Sequence, residues 1–326
     1  MPLRILFAGS PGIAVPALEA VAALGQDFTL AGLLTNPDSP RGRSGRPEPT
    51  ECAAALNRIS PETPALKPEK LDAAARAMVE ALNPDILVSF AYGKIFGPKF
   101  LALFPHGGIN VHPSLLPKYR GPTPIPAAIL NRETETGITI QRLAPEMDSG
   151  DVLAREKVPL DGRETAASLS ETMAKKAAEL LPGVLAGVAS GRLRGEPQDH
   201  DAASYCSLIA KTDGLIDWNA GAPEIDARIR AYTPWPLCWT THGDTHLFIL
   251  KARALDSQAG RDGPSGKVLG KDANNGIIIG TGKGVLAVRE LQYRTKKALE
   301  WKAFLNGARN FVGERLGFRD VPGAGI

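Results

Sequence analysis

Leu3-Arg4-Ile5-Leu6-Phe7-Ala8-Gly9-Ser10-Pro11-Gly12 opens the chain, followed by an Ala-rich stretch from Val15 to Leu24 and then Phe28-Thr29-Leu30-Ala31-Gly32-Leu33-Leu34. This stretch decides the fold. A short apolar run bounded by Gly and Pro predicts a strand buried on both faces, and the Ala-rich segment predicts a helix after a tight turn. The second apolar run then predicts another strand, so the segment reads as strand, helix, strand. Working outward, further strands are predicted at residues 85–89, 108–111 and 137–143, separated by helical stretches. Strands alternating with helices build an α/β fold, a doubly wound, mostly parallel sheet covered on both faces. Ligands bind such a sheet beyond the carboxyl ends of its strands.

Gly9-x-x-Gly12 is not a dinucleotide fingerprint. It lacks the full GxGxxG pattern and an acidic ribose anchor about twenty residues on. A strand-to-helix turn accounts for both glycines. Residues 165–189 predict one or two Ala/Leu-rich helices broken at Pro182-Gly183, and residues 190–206 are polar and read as a linker. Beyond them the grammar changes. Gly263-Pro264-Ser265-Gly266, Asn274-Asn275-Gly276 and Gly280-Thr281-Gly282 punctuate β-rich runs at residues 245–250, 276–279 and 284–289. Turns at that spacing predict a small barrel or sandwich. The expected division is therefore 1–189, a linker at 190–206, and 207–326.

With 326 residues, 43% hydrophobic and 22% charged, the chain has the composition of a globular protein of two domains. The apolar run at its start is too short for a signal peptide, and no stretch of eighteen apolar residues occurs, so the expected setting is cytoplasmic, without a membrane partner. Cys52, Cys206 and Cys238 are odd in number and widely spaced, which predicts neither a disulfide framework nor a structural zinc site. His242 and His246 stand four apart in a strand-like segment without an HExxH arrangement and read as a turn feature; no metal is expected. The net charge is only +3, but from Lys251 onward fourteen Lys and Arg face seven Asp and Glu, while the first 250 residues hold twenty-four against twenty-eight. A C-terminal quarter at +7 against a remainder at −4 fits the electrostatic footprint of a polyanion partner, with a solvated basic face as the alternative.

The chemistry lies between residues 109 and 151. In Ile109-Asn110-Val111-His112 apolar and polar residues alternate, so on a strand the Asn110 and His112 side chains share one face, about 7 Å apart. Ser114-Leu115-Leu116-Pro117 and Arg120-Gly121 follow. The strand-like Gly137 to Leu143 then leads to Met147-Asp148-Ser149-Gly150-Asp151. An amide, an imidazole and a carboxylate, with no Ser or Cys nucleophile, fit a site that stabilises a tetrahedral intermediate and moves protons between two substrates. Asp148 beside His112 would favour the charged imidazolium. Asp151 is the competing carboxylate.

INVHPSLLPKYRG and APEMDSGDVL resemble the signature of the folate-dependent formyltransferases. The resemblance runs from Arg4 to about Gly317. It includes Lys211-x-Asp213-Gly214-x-Ile216-Asp217-Trp218, an element shared with members that act on amino sugars. Ile229-Arg230-Ala231 and Leu305-Asn306-Gly307 are further diagnostic elements, and Pro234-Trp235-Pro236 with the complete C-terminal domain points to the members that act on tRNA. It implies a Rossmann-like catalytic domain followed by an OB-like β-barrel. It also implies 10-formyltetrahydrofolate as formyl donor and initiator methionyl-tRNA as acceptor; a monomeric enzyme is expected. Asn110, His112 and Asp148 match the catalytic set. Ser114, Leu115, Leu116 and Pro117 match the folate segment, with Phe90, Tyr92, Gly93 and Leu143 expected to wall the pterin. The loop from Thr35 to Arg46 carries Arg41, Arg43 and Arg46 and matches the family's tRNA loop, with Arg43 at its key arginine. Here the chain departs from the pattern: basic residues that commonly follow Gly-Arg are replaced by Ser44-Gly45. Lys211, Lys251, Arg294, Lys296 and Lys297 are the further tRNA candidates.

Three alternatives remain open from the sequence. A formyltransferase for an amino sugar would not need the basic C-terminal quarter or the arginine loop. A non-catalytic RNA- or folate-binding descendant would not need an intact Asn, His, Asp set. A dinucleotide oxidoreductase would need the missing fingerprint.

Overall fold

The computed structural model describes residues 1–40, 45–255 and 263–317. Arg41 and Arg43 lie outside the described residues. The chain forms two compact units: Met1–Pro124 with Glu135–Pro159 and Leu169–Ser207, and Ile125–Thr134 with Leu160–Ser168 and Leu208–Ile326.

The first unit is built on a seven-stranded sheet. Its strands are β1 (Leu3–Ala8), β2 (Phe28–Leu34), β3 (Ala65–Leu66), β4 (Ile86–Ser89), β5 (Gly108–His112), β6 (Glu135–Arg142) and β7 (Val152–Pro159). They lie in the order β3-β2-β1-β4-β5-β6-β7. The first five are parallel, and β6 and β7 add antiparallel pairs at one edge. The mostly parallel expectation holds for β1 to β5; β6 pairs antiparallel with β5 although the helical residues Pro124–Leu130 lie between them, and β7, which the sequence reading did not foresee, returns from β6 without a crossover and runs antiparallel. The chain winds one way from β1 to β3 and the other way from β4, so a topological switch point falls between β1 and β4.

The apolar runs bury as their pattern requires. Leu6, Ala8, Leu34 and Leu87 join Val79 and Phe100 from helices α3 (Ala73–Glu80) and α4 (Pro98–Leu101) in one core cluster. Ile5, Phe7 and Leu33 alternate with them, and helices α1 (Val15–Ala22) and α2 (Glu51–Ile59) pack against β2. Thr50 caps α2 by accepting from the Ala53 N–H. Past the short helix α5 (Pro124–Leu130), the helical segment near residue 180 differs from expectation. A single helix α6 (Ala166–Ala189) runs straight through Pro182. Proline removes one intrahelical hydrogen bond, but Leu169, Met173, Ala177, Leu181, Val184, Leu185 and Val188 stay buried at helical spacing on both sides of it, and that burial holds the helix together.

The second unit contains helix α7 (Ala222–Ala231) and a six-stranded antiparallel sheet, with β8 (Cys238–His242), β9 (Thr245–Leu255), β10 (Val268–Asp272), β11 (Gly276–Gly280), β12 (Val285–Tyr293) and β13 (Leu299–Glu300). The order is β8-β9-β12-β11-β10, with β13 beside β12. Beyond helix α8 (Trp301–Gly307), the chain end bridges both edges, Thr241 to Gly317 and Lys267 to Arg315, and so closes the sheet as a barrel. His242 and His246 flank the two-residue turn Gly243-Asp244. His242 Nδ1 lies 2.6 Å from the Tyr293 hydroxyl and His246 stacks on Trp239, so the pair is a hairpin feature. Among the described residues no helix is long and apolar enough to cross a membrane.

Candidate active site

Asn110 and His112 sit at the carboxyl end of β5, on one side of the strand, paired in register with Gln141 and Thr139 of β6. The predicted shared face is therefore present. The chain leaves β6 and returns through residues 144–151, and that loop lays the Asp148 carboxylate across the end of the two strands. Asn110 Nδ2 donates to Asp148 Oδ1 over 3.3 Å, and Gln141 Nε2 donates to the same oxygen over 3.0 Å. The Gly121 N–H donates to Asp148 Oδ2 over 2.8 Å. His112 Nδ1 lies 3.6 Å from that oxygen, with side-chain exposures of only 5% and 12% for the two residues. The three residues quoted from distant parts of the sequence form one cluster.

The imidazole's proton is placed by its other partner. His112 Nε2 lies 2.8 Å from the Tyr119 carbonyl, which can only accept, so Nε2 carries a hydrogen. Nδ1 is then the atom that gains and loses a proton, and it faces Asp148. The 3.6 Å gap is too long for a direct hydrogen bond, which leaves Nδ1–H able to reach a developing oxyanion or a water.

Two glycines of the signature are sterically required. At Gly150 an added Cβ would lie 1.9 Å from the Arg142 carbonyl oxygen, and at Gly121, whose φ is +117°, it would lie 2.3 Å from the Cys206 carbonyl oxygen. Asp148 itself has φ of 52°, the left-handed region that Asp tolerates better than most side chains. Asp151 is exposed, and its side chain packs against Gly195.

The residues expected to hold folate divide into two groups. Tyr92 and Leu143 meet in the core cluster around Phe100, where the Tyr92 ring stacks on Phe96 at 5.5 Å between centroids. The Tyr92 hydroxyl is buried without a hydrogen-bond partner, and burial pushes its pKa up to about 12. Phe90 is fully buried beside Gly9, and Gly93, with φ of 81°, has open space where a side chain would be. Ser114 and Leu116 are interior. The Ser114 hydroxyl donates to the Lys118 carbonyl at 2.6 Å, and the Thr139 hydroxyl accepts from the Leu116 N–H while donating to the Ser114 carbonyl. Leu115 packs against Gly137, and Pro117 follows a cis peptide bond. Ser114 to Pro117 thus brace the turn after His112 from within.

The base of the arginine loop is tied to the ends of the strands. Thr35 shares hydrogen bonds with Ser10 at 3.2 Å and Thr50 at 2.7 Å, and the Asn36 side chain donates to the Tyr92 carbonyl at 3.1 Å. Ser39–Pro40 pairs with Pro47–Glu48, and Arg46 is exposed beside this short hairpin. In the second unit Arg294, Lys296 and Lys297 follow β12 on one turn, with Lys296 Nζ 5.7 Å from the Tyr293 ring centroid. Lys251 projects from the neighbouring strand and is paired with Glu290 at 2.6 Å. Lys211 lies on the separate turn Lys211–Gly214.

Sequence reasoning missed Gln141, Arg120 and Gln198. Gln141 alternates with Thr139 on β6, a signal that was present but had no weight until β6 was known to pair with β5. Gln198 sits in a polar run that reads as linker, yet it is only 6% exposed, and Arg120 is 1% exposed.

The profile of the formyl transferase family matches residues 3–185, and that of the formyl transferase C-terminal domain matches residues 208–309. A methionyl-tRNA formyltransferase of Treponema denticola is 46% identical over 319 residues, covering 95% of this chain and 98% of that protein. One of Roseiflexus castenholzii is 40% identical over 318 residues, covering 97% and 100%. Among solved structures, an N-formyltransferase from Helicobacter canadensis with folinic acid and dTDP-3-aminofucose superposes with a TM-score of 0.63 at 18% identity, covering 88% of this chain and 98% of that one. HypX from Aquifex aeolicus with tetrahydrofolic acid superposes with a TM-score of 0.64 at 15% identity, covering 98% of this chain and 51% of that longer one. These two likenesses speak to the fold.

Proposed function

The chain belongs to the formyl transferase family, and from that premise we propose that it moves a formyl group from 10-formyltetrahydrofolate to the α-amino group of methionyl-initiator-tRNA. The observation that carries this reading is the convergence of Asn110, His112 and Asp148 in a chain that aligns end to end with methionyl-tRNA formyltransferases. The product, N-formylmethionyl-tRNA, serves translation initiation, which suits a cytoplasmic enzyme.

The barrier lies in a tetrahedral carbon with a developing oxyanion, formed from an amine that must lose a proton. Asn110 is half-buried, and only one of its two amide hydrogens is engaged by Asp148, so the second can meet the oxyanion. His112, with Nε2–H held by Tyr119, offers Nδ1–H as the second donor. Asp148 Oδ2 takes the amine's proton through water. On collapse the proton passes to the departing folate nitrogen. For folate, the support is the Tyr92 and Leu143 cluster and the open Gly93 at the switch point, which suit a flat ring that needs apolar walls and backbone hydrogen-bonding groups. For tRNA it is the basic turn at Arg294 to Lys297 and the arginines of the loop anchored at Thr35, Arg43 among them, because a planar guanidinium binds phosphate and stacks on bases. We take the enzyme to work as a monomer.

The test is formyl transfer by the purified protein to initiator Met-tRNA, beside elongator Met-tRNA and amino sugar nucleotides. Turnover confined to the initiator is expected. Turnover on a sugar amine alone would overturn the acceptor assignment and leave the Asn, His, Asp chemistry standing.

A further inference from the structure

A directed chain of hydrogen bonds runs from Arg120 to Asp148 through two buried amides. The Arg120 guanidinium, only 1% exposed, donates twice to Gln198 Oε1, from Nε over 3.2 Å and from Nη2 over 2.8 Å. It is completed by the Tyr205 hydroxyl and His200 Nδ1, each 3.3 Å away. A guanidinium has no acceptor, so it fixes which end of the Gln198 amide faces it. Gln198 Nε2 must therefore point the other way, where it meets three oxygens: the Asp148 carbonyl at 2.9 Å, the Gly150 carbonyl at 2.7 Å and Gln141 Oε1 at 3.0 Å. That fixes the second amide in turn. Gln141, 1% exposed, accepts from Gln198 with its oxygen and donates from Nε2 to Asp148 Oδ1 over 3.0 Å.

Every group in the chain thus has one permitted orientation, set at one end by a donor-only cation and at the other by acceptors. Its far end grips the loop where the backbone is least content. Asp148 holds a positive φ, and Gly150 leaves no room for a Cβ beside the Arg142 carbonyl. The Gln198 side chain ties the carbonyls on both sides of Ser149, and Gln141 orients the carboxylate so that Oδ2 faces His112.

We propose that Gln198, carried by a segment that reads as linker, is a positioning residue for Asp148, and that it acts through Gln141 and the backbone of the 148–150 loop. This rests on the reading of Asp148 as the group that handles the amine's proton. The role needs an amide donor, not a filler of the right size. In Gln198→Glu the new carboxylate would still pair with Arg120, but it would set an acceptor against three acceptors. Gln141 could answer only by flipping, which would turn its own oxygen against Asp148 Oδ1.

The experiment compares wild type with Gln198→Glu, Gln141→Met and the double variant in formyl transfer to initiator Met-tRNA, with KM for both substrates and a thermal melt for each protein. We expect kcat to fall roughly 30- to 100-fold in each single variant, the size of effect that a misplacement near 1 Å produces. KM should stay within about twofold, and the double variant should lose little more than the worse single, as members of one network do. A Gln198→Glu enzyme with kcat within about threefold of wild type overturns the proposal, because Arg120 pairing alone would then suffice. A double variant whose losses multiply also overturns it. Should Gln198→Glu fail to fold, Gln141→Met decides by the same kcat and KM criteria. Wild type inactive on every acceptor would sink the functional reading and this inference with it, whereas active wild type with active variants sinks only this one.

Discussion

Replacing Asp148 by Asn keeps the shape of the side chain and removes its charge, which makes it the sharpest probe of the site. Asp148 and His112 are both mostly buried, with Oδ2 and Nδ1 3.6 Å apart. At an effective dielectric near 20, opposite unit charges at that distance attract by about 4–5 kcal/mol. That is an upper bound on what a transition state with charge on His112 would lose, and together with the loss of the carboxylate as proton acceptor it sets the expected fall at roughly 10²- to 10³-fold in kcat. The new amide must also set an NH2 group against donors. At the Oδ1 position it faces Asn110 and Gln141, and at the Oδ2 position the Gly121 N–H. Either choice leaves donors opposed, at about 1–3 kcal/mol of stability. Formyl transfer to initiator Met-tRNA measured in single turnover, with a tRNA-binding assay and a thermal melt, separates the two effects. The expected result is a folded protein that binds tRNA normally and turns over at least about a hundredfold more slowly. A kcat within tenfold of wild type would refute the reasoning and move the proton-handling group elsewhere.

Asn110→Ala should lower kcat by about 3 kcal/mol, roughly two orders of magnitude, with KM for folate nearly unchanged; a rise in KM alone would make Asn110 a binding group instead. Gly150→Ala should destabilise the first unit by about 1–3 kcal/mol in a denaturant melt, because its Cβ would sit 1.9 Å from the Arg142 carbonyl oxygen. Arg43→Ala should reduce the preference for initiator over elongator Met-tRNA, and unchanged discrimination would shift recognition to Arg294, Lys296 and Lys297. Burial raises the thiols of Cys52 and Cys238 from 9.0 to about 12, so the folded chain keeps protons that the unfolded chain releases above pH 9. Stability should therefore be full below pH 9 and fall between about pH 9 and 12, by up to about 1.4 kcal/mol per pH unit for each thiol. In Cys52→Ala, melts across that range should show a shallower decline, and an unchanged slope would remove this thiol from the account.

Local pattern carried the fold a long way. The run Leu3 to Leu34 determined a parallel α/β layer, since apolar strands broken by an Ala-rich helix have few other ways to bury themselves. Alternation alone put Asn110 and His112 on one face, because a strand's period of two is a property of the backbone. The signature residues also named Asp148, through resemblance. The antiparallel return of β6 and β7 and the unbroken helix at Pro182 were settled elsewhere, by sheet pairing and by burial on both sides of the proline.

The sequence by itself pointed to Asn110, His112 and Asp148 as candidates and to a parallel α/β layer followed by a β-rich domain. Only the tertiary structure decided how that cluster is held. The register of β5 against β6 brings Gln141 beside Asn110, and the chain after α6 returns to bury Gln198 between Arg120 and the Asp148 loop. Side chains 57 positions apart, as Gln141 and Gln198 are, leave no periodicity for a sequence to display, because their partnership is a property of packing. The direction of each hydrogen bond in that chain follows from which groups can only donate and which can only accept, and that becomes legible once the partners are within reach.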